Sequence, residues 1–169
     1  MAAPKKAAPT AGAKTSKVIE VLNKARSMEL YAIMQYMNQH YTLDDLDYGP
    51  LASKVKAIAI DEMRHAEDFA ERIKDLDGEP TSAIDGNVQK RQDVRDIFGF
   101  NSNLEDDTIA KYNQFIKICR DEGDQVSANL LERIIDAEQD HYNQFDDIDN
   151  HIKDLKESYL AKMSGGDAD

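Results

Sequence analysis

Two Glu-x-x-His pairs carry the most chemistry in this chain: Glu62-Met63-Arg64-His65 and Glu138-Gln139-Asp140-His141. Three residues apart on a helix, the two side chains of each pair fall on one side. A carboxylate beside an imidazole suits iron, manganese or zinc. Each pair also has a Glu 33 positions upstream, Glu29 before Glu62 and Glu105 before Glu138. Two such pairs plus two single Glu match the ligand set of a di-metal site between the helices of a four-helix bundle. The six divide naturally. Glu29 and Glu105 would each bind one metal terminally, Glu62 and Glu138 would bridge, and His65 and His141 would complete one metal apiece. Four carboxylates offset the four charges of two divalent ions. One imidazole per metal in an oxygen-rich set favours iron or manganese, although zinc fits the ligand types as well. Two adjacent ferrous ions can deliver two electrons to dioxygen or peroxide together.

Such residues need long helices to hold them, and the apolar pattern predicts an all-α chain. Residues 1–16, rich in Ala, Pro, Lys and Thr without apolar periodicity, read as a flexible tail. The first helix is expected from Thr15 or Ser16 to about Tyr41, with Val18, Leu22, Ala25, Ala32 and Tyr36 on one stripe. Glu29 lies within that stripe, where a carboxylate is costly unless paired or metal-bound. A second apolar stripe holds Leu30, Ile33, Met34 and Met37. After a turn cluster closed by Gly49-Pro50, the second helix is expected over about 51–76, with Leu51, Val55, Ile58, Glu62, His65, Phe69, Ile73 and Leu76 on one face. Asp77-Gly78-Glu79-Pro80 stops it. Residues 77–92 read as a loop long enough, at about 50 Å extended, to traverse a bundle, so the third helix could run parallel to the second.

Asp93 opens the third helix, expected to reach Asp121 but weakened early by Gly99 and two Asn. Its face carries Phe98, Glu105, Ile109, Tyr112, Ile116 and Cys119. The fourth helix, from Gln125 to Ile148 or beyond, aligns Val126, Leu130, Ile134, Glu138, His141, Phe145 and Ile148. Residues 153–163 suggest a short fifth helix, and the Gly165-Gly166 end a frayed tail over 164–169. His40 and His151 are expected to be exposed near helix ends.

The midpoints of Glu29–Glu62 and Glu105–Glu138 fall at 45–46 and 121–122, inside the two short turns. Residues equally far from the turn of an antiparallel helical hairpin share one height, here about 25 Å from the turn. Each half therefore sets a Glu opposite a Glu-x-x-His. The halves are offset by a constant 76 residues, and Tyr36 maps to Tyr112 at the same offset. Both tyrosines are expected near the site as hydrogen-bond or one-electron donors, or simply as amphipathic core residues.

Bulk properties set the limits. At 169 residues and 41% hydrophobic content, one domain with a real core is expected. A net charge of −12 argues against nucleic acid as partner and is compatible with attracting small cations. The single cysteine, Cys119, rules out an intrachain disulfide and any Cys-based metal centre. No apolar run reaches a membrane-spanning length, and the N-terminus lacks a signal-peptide core; a cytoplasmic location is expected.

Lys17–Tyr41, with its Met28-Glu29-Leu30 and Gln35-Tyr36 segments, and the stretch Ile60–Glu67 resemble the bacterioferritin family, closest to those of sulfate-reducing bacteria. The resemblance spans roughly residues 17–163. It implies a ferritin-like four-helix bundle with a long crossover between helices two and three and a short C-terminal fifth helix. It also implies a shell of 24 subunits that oxidises Fe(II) at a di-iron centre, two Fe per subunit, and stores a ferric mineral, with an electron donor as further partner. All six family ligand positions are matched, and Asp61 occupies a family position on the inner side of the site. Ala57, however, stands where some members carry a histidine of an inner-surface iron site, so that route is not carried over. Met63 takes the place of the family's haem ligand, one from each of two subunits. The second stripe of the first helix, Leu30, Ile33, Met34 and Met37, together with Ile60, could line the porphyrin; from the residues alone, a Met-rich dimer interface without haem is the alternative. Two other readings compete: a stand-alone di-iron oxidase or rubrerythrin-like peroxidase without a cage, and a helical interaction module without metal. The rubrerythrin-like peroxidase would usually bring a four-cysteine module this chain lacks, Met63 and the apolar second face argue against the stand-alone oxidase, and the interaction module gives no reason for carboxylates on core stripes.

Overall fold

The computed structural model describes residues 11–166, with side chains from Thr15 onward. Most of the expected 1–16 tail, and residues 167–169 of the expected C-terminal tail, lie outside the described residues. Five helices follow in order: α1 (Ala11–Asp45), α2 (Gly49–Asp75), α3 (Val94–Asp121), α4 (Gln125–Leu155) and α5 (Glu157–Met163). Among the described residues there is no strand, and no helix is long and apolar enough to cross a membrane. α1 packs along α2, and α3 along α4, as two helical hairpins.

The boundaries moved for physical reasons. α1 begins at Ala11, so residues 11–16 are helical rather than tail. Its far end reaches Asp45, where Asp47 adopts a left-handed backbone (φ 64°) and Tyr48 N–H bonds to the Leu43 carbonyl at 2.9 Å. This is a Schellman stop, which satisfies the last carbonyls of a helix. Gly49-Pro50 therefore opens α2 instead of closing the turn; a proline in the first turn has no N–H to leave unpaired. The same stop ends α2 at Asp75, with Asp77 left-handed (φ 59°) and Gly78 N–H on Ile73 O at 2.8 Å. Asp93 caps α3 by accepting from the Arg95 N–H at 2.9 Å, and Asp124 caps α4 from Ser127 N–H at 3.0 Å. α4 runs on to Leu155, so α5 keeps only Glu157–Met163 of the expected 153–163.

Gly99 does not weaken α3. A Cβ there would stand 3.0 Å from Asp149 Oδ1, so the glycine lets α3 lie close against the buried carboxylate on α4. Two other expectations fail. Val126 faces solvent, 62% exposed, because the first turn of α4 turns Ser127 and Ala128 inward. His40 is buried rather than exposed, since α1 continues past it; its Nδ1 sits 3.1 Å from the Ala52 carbonyl. His151 is exposed and stacks on Tyr159, ring centroids 5.3 Å apart.

The crossover, residues 76–93, runs along α1 from bottom to top. Asn23 bonds Glu79 and Thr81, Ser27 takes Asp85 N–H at 2.9 Å, and Gln35 clasps both backbone groups of Gln89 at 2.7 and 3.0 Å. α3 therefore starts at the end where α2 starts, and the two run parallel. A Cβ at Gly86 (φ 150°) would stand 3.0 Å from the Tyr31 ring.

The core comes in two pieces. One holds Tyr36, Leu43, Val55, Phe98, Phe145 and Leu160 among others; the second holds Leu22, Phe69, Ile73, Tyr112, Leu131 and Ile134. Each fully buried Leu, Ile or Phe contributes about 1.5–3 kcal/mol relative to exposure. Between the two pieces, at mid-height on all four long helices, lies a layer that is not apolar.

Candidate metal centre

Glu29 on α1, Glu62 and His65 on α2, Glu105 on α3, and Glu138 and His141 on α4 form that layer, and all six are buried. They face inward because each occupies an inward-facing position of its helix, among residues that are themselves buried. Ligand atoms of Glu29, Glu62, His65 and Glu138 lie within 4.8 Å of one another, and so do those of Glu62, Glu105, Glu138 and His141. Glu62 and Glu138 belong to both groups.

The central geometry is crossed. His65 Nδ1 lies 2.8 Å from Glu62 Oε2 and 3.0 Å from Glu138 Oε1. His141 Nδ1 lies 3.0 Å from Glu62 Oε1 and 3.2 Å from Glu138 Oε2. Each central carboxylate thus turns one oxygen to each imidazole. Glu62 Oε1 and Glu138 Oε1 are buried and meet no donor other than these imidazole nitrogens. Buried carboxylate oxygens need charge partners, and a cation is what such oxygens bind well.

The electrostatics follow from this crowding. Burial, then the charges of Glu138 and Glu62, push the Glu29 carboxyl well above the usual range. Burial, then Glu62 and Glu138, do the same to Glu105. Burial also opposes ionisation of Glu138, but hydrogen bonds from His141 and His65 outweigh it and hold that carboxyl at about 2. Burial works against the imidazolium of His65, yet the bonds and charges of Glu138 and Glu62 prevail and raise it to about 9; the same balance raises His141 to about 11. Two divalent cations would carry four positive charges, matched by the four carboxylates, which is the fit expected of a donor set built for them.

Tyr36 and Tyr112, both fully buried, flank the layer. The Tyr36 hydroxyl donates to Glu105 Oε1, and the Tyr112 hydroxyl to Glu29 Oε1. Behind His141, Asp61 Oδ2 stands 3.8 Å from Nε2 while also pairing with Arg64. The 76-residue repeat puts Ala137 at the matching place behind His65, so the two histidines differ in their outer neighbours.

The residues proposed for a porphyrin lie elsewhere. Met34, Ile60 and Met63 are exposed, at 54, 37 and 44%, while Leu30, Ile33 and Met37 are half-buried. Met34 and Met37 line an open groove of about 590 Å³ with Asn38, Tyr41 and crossover residues Asn87, Val88 and Lys90. Met63, Ile60, Leu30 and Ile33 do not line it.

The sequence reading missed a second buried polar cluster. Gln39 and Asn101 exchange hydrogen bonds at 2.8 and 2.9 Å, and Gln39 and Gln35 both donate to Gln92 Oε1, at 2.8 and 3.0 Å. Gln35, Gln39 and Asn101 are essentially inaccessible. The available signal was positional: Gln39 stands on the inner side of the first helix, three residues beyond Tyr36.

Three comparisons place the chain among known proteins. The profile of the ferritin-like domain family matches residues 19–155. A bacterioferritin of Desulfovibrio desulfuricans is 59% identical over 150 residues, 89% of this chain and 84% of that protein. A bacterioferritin of Mycobacterium tuberculosis is 36% identical over 124 residues, 73% of this chain and 78% of that protein. A crystal structure of the Desulfovibrio desulfuricans protein, describing its di-iron site in different catalytic states, superposes with a TM-score of 0.94 at 55% identity, covering 96% of this chain and 95% of that one. A Mycobacterium tuberculosis bacterioferritin structure superposes with a TM-score of 0.83 at 32% identity, covering 88% and 94%.

Proposed function

Since the chain belongs to the ferritin-like family, and within it to the bacterioferritins, we propose that it is an iron-storage ferroxidase whose centre is built from Glu29, Glu62, His65, Glu105, Glu138 and His141. The observation that carries the assignment is the crossed pairing of Glu62 and Glu138 with both imidazoles. A carboxylate that turns one oxygen to each side is disposed to be shared by two ions. Fe(II) is the substrate. A di-iron pair held here supplies two electrons at once to dioxygen or peroxide.

The chain's own residues do the rest. Glu29 and Glu105 each add a carboxylate to one side of the central pair. The apolar pieces above and below keep water from the oxygens, which strengthens every charge interaction inside. Burial and the neighbouring carboxylates push Glu29 and Glu105 toward the protonated form, and a cation between them would favour the ionised one.

The wider assembly belongs to the same reading. Twenty-four subunits enclose the ferric product, the chain works in the cytoplasm, and an electron donor returns stored iron to solution. Met63 from each of two subunits would hold a haem shared between them, one per pair, which would supply a redox-active iron. Exposed Met63, Ile60 and Met34 support this, since a thioether must leave its own bundle to reach a group shared with a second copy. In Met63→Leu, haem should be absent from the visible spectrum while Fe(II) oxidation persists; an unchanged haem spectrum would remove Met63 as ligand.

The deciding experiment adds Fe(II) stepwise to metal-free protein in air and measures iron retained after gel filtration. Retention far above two per subunit in a large particle supports the storage cage. A plateau at two in a small particle would mean a stand-alone di-iron oxidase. No retention would sink the centre itself.

A further inference from the structure

The two tyrosines beside the centre do not serve the halves of the chain they come from. Tyr36 and Glu29 share α1, and Tyr112 and Glu105 share α3. Yet Tyr36 donates to Glu105, and Tyr112 donates to Glu29. Glu29 groups with His65 on one side of the central pair, and Glu105 with His141 on the other. Each side therefore takes its carboxylates and imidazole with a phenol from the opposite hairpin. Glu62 and Glu138 face two imidazoles each, whereas the phenol is the hydrogen-bond donor that holds each outer carboxylate. Packing fixes both phenols. Tyr112 lies edge-on to Phe69 at 5.7 Å and against Phe115 at 6.0 Å; Tyr36 packs on Phe145 at 5.3 Å. The Tyr112 oxygen is also 3.3 Å from the Ala25 carbonyl, one turn before Glu29, which anchors it to the backbone of the helix it supports.

We infer that Tyr112 and Tyr36 are positioning residues that act crosswise: Tyr112 sets Glu29 for the ion on the His65 side, and Tyr36 sets Glu105 for the ion on the His141 side. The inference rests on the di-metal reading above. Its physical basis is general. A hydrogen bond to a metal-binding carboxylate fixes its orientation, and losing such a partner typically lowers metal affinity by about 10–100-fold. The crosswise arrangement also means that neither side is complete until both hairpins are docked.

Co(II) provides the test, followed by its visible absorption and by titration calorimetry on the full chain freed of metal. His141→Ala leaves an imidazole only on the Glu29 side, and His65→Ala only on the Glu105 side. Tyr112→Phe should weaken Co(II) by about 10–100-fold in the His141→Ala background and leave the His65→Ala background unchanged. Tyr36→Phe should give the mirror pattern. Equal weakening in both backgrounds, or weakening on the tyrosine's own hairpin side, overturns the assignment. If neither histidine background takes up Co(II), the single tyrosine variants decide: one weakened and one unchanged ion per chain supports crosswise action, and two equally weakened ions overturn it. Failure of the unaltered protein to bind Co(II) would instead remove the di-metal reading beneath, so the two failures are separable.

Discussion

Two regions bury polar side chains in this bundle, and they do so in opposite ways. Gln35, Gln39, Gln92 and Asn101 form a neutral cluster in which amide nitrogens meet amide oxygens across α1, α3 and the crossover. Half a helix away, four carboxylates and two imidazoles are just as inaccessible, but two carboxylate oxygens meet no donor other than the imidazole nitrogens and like charges crowd together. The first cluster is complete and neutral, so it acts as an adhesive that fixes where the crossover lies. The second is incomplete without cations. Burial of polar groups marks neither structure nor function; what separates them is whether the groups satisfy one another.

That contrast can be broken most severely at the acidic layer. Glu62→Ala or Glu138→Ala should abolish rapid Fe(II) oxidation, exceeding the about 10–100-fold that loss of a group merely supporting a metal ligand costs. Helix content and assembly should persist, because the two apolar pieces on either side of the layer are untouched. Stopped-flow absorbance with circular dichroism checks both halves; undiminished oxidation would refute the site. The next effect is on pH. His65 and His141 are raised from 6.5 to about 9 and about 11, so both carry protons at neutral pH in metal-free protein. Uptake of Zn(II) near neutrality should then release at least those protons, and affinity should rise with pH toward 9. The imidazoliums stabilise the metal-free fold fully below pH 6.5, and that contribution is lost as pH rises through about 9 and then about 11. Calorimetry in two buffers of different ionisation enthalpy measures the release, and none would contradict the charge balance described. The smallest effect belongs to the amide cluster. Asn101→Ala leaves the buried Gln39 amide oxygen without its donor and should cost about 1–3 kcal/mol of stability with Fe(II) oxidation unchanged. Thermal melts and the same kinetic assay separate the outcomes; slowed oxidation at full stability would erase the distinction between the two regions.

Much of the acidic layer was legible because helices write their inner faces in the sequence every three or four residues. Glu29, Glu62, His65, Glu105, Glu138 and His141 stand on apolar stripes, and the constant 76-residue offset ties them into two like halves. The amide cluster was barely legible, because Gln and Asn on a helix ordinarily face water and only the place of Gln39, three residues beyond Tyr36, says otherwise. Gly99 misled for a related reason: propensity judged it a weak point, whereas the close approach of Asp149 required it. The tyrosines were placed near the centre but not joined to their partners. Periodicity reports which face of one helix a residue occupies, and only the docking of two hairpins decides which carboxylate it reaches.

The ligands come from every one of the four long helices, with no two helices able to complete the set alone. Iron captured there is therefore also a clasp. Its binding energy adds to the energy that holds the bundle shut, by about 2.7 kcal/mol when free ion stands at a hundred times its dissociation constant. The melting temperature of this chain should climb with the iron it carries, which makes heat resistance a gauge of metal supply.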